Sequence, residues 1–279
     1  MKSTKILRFL PLLGGALLAC SVSAATAKDD SPGVEKFDGG KFPGYVMDEV
    51  VVPVPSEIFS VLDKLGSPNW KEEIRKVRIP ETTNRQELAL SFGVIVAEGF
   101  VAVQAQDKQT VEDIGREVIN LSKRLALSKA VTSHANSILN AVKGDDWKSV
   151  RRELDQTQAT VRSEMDRMKD SDLAQCVSLG GWLRGTASVT SVVNKNYTED
   201  RAELLNQPML VEHFSKSIST MSSTARKYDV INAMNKGLMK IRKDMGTGEG
   251  AFPLDKVRSI QATCEDLLSQ IMQGKKAAK

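Results

Sequence analysis

The chain has 279 residues, of which 41% are hydrophobic and 27% charged, and it carries three cysteines and two histidines. Its formal charge is +4, from 39 Lys and Arg against 35 Asp and Glu. Three of the basic residues lie in the first 27 positions, which hold no acid, so residues 28–279 balance 36 basic against 35 acidic groups, or +1. The basicity belongs to the chain ends, where Lys275, Lys276 and Lys279 also sit. Nucleic acid binding, which needs a clustered basic surface, thereby loses its main support.

Residues 1–27 read as an export signal. Lys2, Lys5 and Arg8 precede a short apolar run from Phe9 to Leu18, too short for a spanning helix of about 20 apolar residues. Two ways of processing it are open. Leu17-Leu18-Ala19-Cys20 resembles a lipobox, which would leave a lipid on Cys20 and tether the protein to a membrane. Ordinary cleavage after Ala24 or Ala27, both at small-x-small sites, would release it into the periplasm. Residues 28–55 follow as a flexible or extended tether, rich in Gly, Lys and Asp. In it Val50-Val51-Val52 has strand residues but prolines after it and no partner run.

Everything after Ser56 has helical periodicity. Ser56 caps a short helix bearing Ile58, Phe59, Leu62 and Leu65, ended by Gly66. A second helix is expected from Pro68 to just before Pro80, and a long apolar one over 84–106. Thr110, with Asp113 three residues on, is read as the cap of the next, striped by Val111, Ile114, Val118, Leu121 and Leu125. Further helices are expected over 128–143 and, from the cap Asp146, along a charged rod with an apolar stripe of Trp147, Val150, Leu154, Val161, Met165 and Met168. Others follow near 172–194, 199–206, 208–222, 226–245 and 254–272. The expected fold is all-α, a multi-helix bundle or short helical repeat.

The sequence also echoes itself. Asn69-Trp70-Lys71 matches Asp146-Trp147-Lys148 at an offset of 77, while Ser91-Phe92-Gly93 matches Ser178-Leu179-Gly180 and Glu112-Asp113 matches Glu199-Asp200 at 87. This suggests two similar four-helix units, 56–127 and 133–222, followed by closing helices over 226–273 in one domain spanning 56–279.

No catalytic or metal constellation emerges. His134 and His213 stand alone, no Cys-x-x-Cys or His-x-x-x-His occurs, and the carboxylate pairs Asp145-Asp146, Glu112-Asp113, Asp170/Asp172 and Glu199-Asp200 suit helix starts and turns. Gly246, Gly248 and Gly250 follow a helix and lack the Lys-Ser/Thr ending of a phosphate loop. Cys176 and Cys264, left after export, are each other's only candidate for a disulfide in an oxidising compartment, or else two buried thiols. The stretches 88–105 and 173–193 are apolar and rich in small residues but broken by Glu98 and by Gln175 and Arg184, and they read as core helices that pack on each other.

The expectation is therefore an exported, non-enzymatic cell-envelope protein without cofactor or metal, a helical module that binds another envelope protein or acts as a scaffold. The alternative is a periplasmic carrier holding a small or apolar ligand between the small-residue helices. Nucleic acid is not an expected partner, and membrane contact is expected only through a lipid on Cys20.

Overall fold

The computed structural model describes residues 45–47, 50–52, 55–246 and 252–273; the leader, Cys20 and most of the tether lie outside them. Helices dominate: α1 (Pro55–Lys64), α2 (Arg85–Gln104), α3 (Lys108–Arg124), α4 (Ser128–Lys143), α5 (Trp147–Met168), α6 (Ser171–Lys195), α7 (Glu199–Glu203), α8 (Pro208–Thr220), α9 (Asp229–Met245) and α10 (Leu254–Gln273). The fold is an all-α multi-helix bundle, as the periodicity implies. Two three-residue strands precede it, Tyr45–Met47 pairing antiparallel with Val50–Val52. Val50-Val51-Val52 thus does have a partner, and this second strand packs against α8.

The centre is the pair α2 and α6, which pack on each other more extensively than any other two elements. Both are apolar nearly all round, as helices surrounded by protein must be. Among the described residues α2 alone is long and apolar enough to cross a membrane, but it is largely buried in the bundle. The two run in the same direction, with Arg85 at the start of α2 bonded to Asp170, the N-cap of α6 (3.1 Å). On one side α3, α4 and α5 fold back in succession; on the other α10, α9 and α8 do so.

Glycine sets how closely the central helices approach. A Cβ on Gly93 would lie 2.0 Å from the Val177 carbonyl oxygen, and one on Gly180 would lie 2.1 Å from that of Leu90. These contacts are reciprocal: moving Gly93 and Leu90 along the chain by the 87 residues of the sequence echo gives Gly180 and Val177.

The turns joining α2 to α5 share one chemistry. Gln106, Ala126 and Asp145 each take a left-handed φ, of 51°, 63° and 58°. After each, the next amide reaches back to the last helical turn, as in Asp107 to Ala102, Leu127 to Ser122 and Asp146 to Ala141. This is the Schellman arrangement, which satisfies orphan carbonyls at a helix end.

Three expectations need correction. The helix expected from Pro68 to Pro80 is only a 3-10 turn, Trp70–Glu73, followed by extended chain. Its backbone is claimed elsewhere, since the Glu73 carbonyl accepts from Arg184 and the Arg75 amide donates to Glu98. α3 begins at Lys108 and not at Thr110; its cap is Asp107, whose carboxylate accepts from the Thr110 amide at 2.9 Å. Glu112 and Asp113 therefore lie within α3, away from a helix start. Finally, α1 starts one residue before the expected cap Ser56, whose amide donates to Asp155 on α5 at 2.8 Å.

Candidate functional site

Two features stand apart from ordinary core and surface: a buried ionic network and an exposed cationic face.

The network crosses the central helices. Arg184 on α6 and Glu98 on α2 are both 1% exposed at the side chain and form an ion pair. The Arg184 guanidinium also donates to the Glu73 carbonyl at 2.6 Å and to the Ser188 hydroxyl. The other Glu98 oxygen accepts from the Arg75 amide, and the Arg75 side chain forms a fork with Glu265 on α10. Lys195 at the end of α6 reaches Glu73 at 2.6 Å and Glu72 at 3.3 Å. The hydrogen bond from Glu73 raises the Lys195 pKa above its ordinary value. The residues that interrupt the two apolar stretches, Glu98 and Arg184, are thus brought together. The signal was present in the sequence as one acid and one base in two core helices, read singly as interruptions.

The histidines are placed separately. His134 bridges α4 and α5, with Nδ1 3.3 Å from Glu153 and Nε2 3.0 Å from Thr160. His213 is buried on α8, edge-on to Phe214. Asp146, Asp170 and Thr198 cap α5, α6 and α7, while Asp145 pairs with Lys108 at 2.6 Å. Glu199 and Asp200 occupy the first turn of α7. Trp70 is buried and Trp147 packs partly buried against the same core. Gly246 ends α9 with φ +64°, and the glycines after it lie outside the described residues. No cluster of three or more His, Cys, Asp or Glu suited to a metal occurs among the described residues.

Of the two readings of the cysteine pair, the structure has the buried thiols and not the disulfide. Cys176 and Cys264 are both free and buried. α10 meets α6 through Arg258 and Gln261, both bonded to Asn194 near the far end of α6. Asn194 lies about 27 Å along the helix from Cys176 at 1.5 Å per residue, whereas a disulfide needs Cα atoms within about 7 Å. Burial pushes both thiols well above the ordinary cysteine range.

At Gly93 and Gly180 the space between α2 and α6 is filled by backbone of the facing helix, whereas a Cβ on Gly185 would meet nothing within 4 Å. Open volume lies on the surface between α8 and α9, in a groove of about 630 Å³ lined by Ser215, Met239, Arg242, Lys243 and Gly246. The two helices are antiparallel, with Arg242 near the end of α9 bonded to Glu212 near the start of α8 at 2.6 Å. The buried side of α9 holds Ile231, Met234, Leu238, Ile241 and Met245. Its other face exposes Lys236, Met239, Lys240 and Lys243. Met209 on α8 and Met239 are 68% and 64% exposed, the large hydrophobic side chains most open to solvent among the described residues. Sequence reasoning missed Met239, although it falls off the apolar stripe of α9 and between two lysines.

Comparison with protein-family models, with curated proteins and with solved structures gives no match for this chain.

Proposed function

We propose that the protein is an exported cell-envelope protein and acts without catalysis, as a helical module that binds or scaffolds another envelope protein. The observation that carries the second part is how the buried ionic groups are used. Glu98, Arg184 and Glu73 are engaged with one another's helices, with backbone groups and with Lys195. They hold elements together and leave no unspent acid or base at that centre for a substrate. Export rests on the pattern of residues 1–27.

The test is crosslinking in the native envelope with a tagged copy, followed by mass spectrometry. A reproducible adduct with one envelope protein supports the reading. Recovery of uncrosslinked chain alone, at reagent levels that trap known envelope complexes, overturns it. Cell fractionation tests export separately.

The reciprocal contacts of Gly93 and Gly180 also support an internal duplication, in which α2 and α6 are equivalent helices. The elements before them have diverged: α4 and α5 are long helices, where the first unit has the ten-residue α1 and a four-residue 3-10 turn.

A further inference from the structure

We propose that the α8–α9 face carrying Met209, Met239, Lys236, Lys240 and Lys243 docks on an anionic lipid surface. This departs from the expectation that membrane contact runs only through a lipid on Cys20.

The spacing of Lys236, Met239, Lys240 and Lys243 places all four within roughly a 100° arc of α9, at 3.6 residues per turn. All four are exposed. Among the described residues none of the three lysines has an acidic partner. Of the acids on this hairpin, Glu212 bonds Arg242, and Asp244 turns to Lys256 at 3.2 Å and Ser259 at 2.6 Å on α10; Asp229 lies at the start of α9, two turns before Lys236. The α9 face therefore presents unneutralised cations around the exposed Met239 thioether, and Met209 is exposed on the neighbouring α8. Anionic headgroups match the cations, and the methionines are long, flexible and apolar enough to enter the layer below them.

One further observation favours a lipid surface over nucleic acid: residues 28–279 carry only +1, so the charge on this face is local and not part of a basic groove. The chemistry of the face does not depend on the export reading.

The test compares the full chain with its Lys236→Glu/Lys240→Glu/Lys243→Glu variant by co-sedimentation with vesicles. One set contains phosphatidylglycerol in phosphatidylethanolamine; the other is phosphatidylcholine alone. Both proteins keep the same first 44 residues, so any contribution from them cancels. The unaltered chain is expected to sediment with the anionic vesicles and to be released by high salt, and the variant to bind on the order of a hundredfold more weakly. Peroxide should oxidise Met209 and Met239 readily in solution and slowly on anionic vesicles. Equal binding of the variant, equal binding to phosphatidylcholine, or no sedimentation of the unaltered chain overturns the proposal; the last outcome leaves the lysines to an acidic macromolecule. Thermal melts confirm that the variant folds, its three substitutions being on the surface. Retention in the cytoplasm on fractionation would sink the export reading and leave the vesicle result standing.

Discussion

Arg184 and Glu98 face each other across the crossing of α6 and α2, in a core made mostly of apolar side chains. Burial of such a pair stabilises little by itself, because desolvation offsets most of the attraction, whereas removing one partner strands a charge. Arg184→Met is therefore expected to cost about 3–5 kcal/mol in urea unfolding, and Glu98→Gln nearly as much. The double variant Glu98→Met/Arg184→Met is expected to be far more stable than the two losses summed. Additive losses would show that the two residues act independently.

Gly93 and Gly180 should behave as a matched pair. Each alanine places a methyl about 2 Å from a carbonyl oxygen of the facing helix, and a rigid backbone cannot yield as a side chain can. Both Gly93→Ala and Gly180→Ala are expected to cost about 2–3 kcal/mol, outweighing the roughly 1 kcal/mol that alanine gains in a helix. Equal losses fit two equivalent helices; a loss at one position alone argues against the duplication.

The acid limb of stability should trace to particular aspartates. A hydrogen bond from Arg151 holds the Asp63 carboxyl below its ordinary range, and the Thr110 amide does the same for Asp107. Groups with lowered folded pKa values contribute stability above their unfolded value of about 3.9, and that contribution fades as pH falls through the folded value. Denaturation midpoints should therefore be flat from pH 7 to 5 and drop below about pH 4. Asp107→Asn keeps a capping acceptor without a titrating group. It is expected to match the parent within about 0.5 kcal/mol at pH 7 and to show a shallower fall below pH 4.

Both thiols should be silent in the folded protein. Burial and a raised pKa leave Cys176 and Cys264 without accessible thiolate. A thiol reagent at pH 8 is expected to add to neither until denaturant is present, and then to both, as intact mass will show. Rapid labelling of the native chain would contradict the burial.

Much of the bundle was legible because its helices carry clean stripes and strong stops. α4 runs over the expected 128–143, and α5 starts after the expected cap Asp146. What failed were places where a distant group overrides local preference. Residues 74–79 lost their helix to Arg184 and Glu98, whose demand on the Glu73 carbonyl and the Arg75 amide is invisible in a local window. Thr110 resembled a cap, but Asp107 lies three residues earlier with an oxygen suited to the Thr110 amide. The pairing of the cysteines was argued from their number, and number says nothing about position along a helix. The exposed face of α9 was overlooked because Met239 lies off the apolar stripe that marks the helix.

The ionic network also dictates an order of events during synthesis. Glu98 must wait 86 residues for Arg184, and the Glu73 carbonyl waits 111 for the same guanidinium. Until that one side chain is made, α2 carries a carboxylate that it cannot bury, so the first half of the molecule has no finished core of its own. An emerging chain therefore stays open at its centre until more than half of it exists.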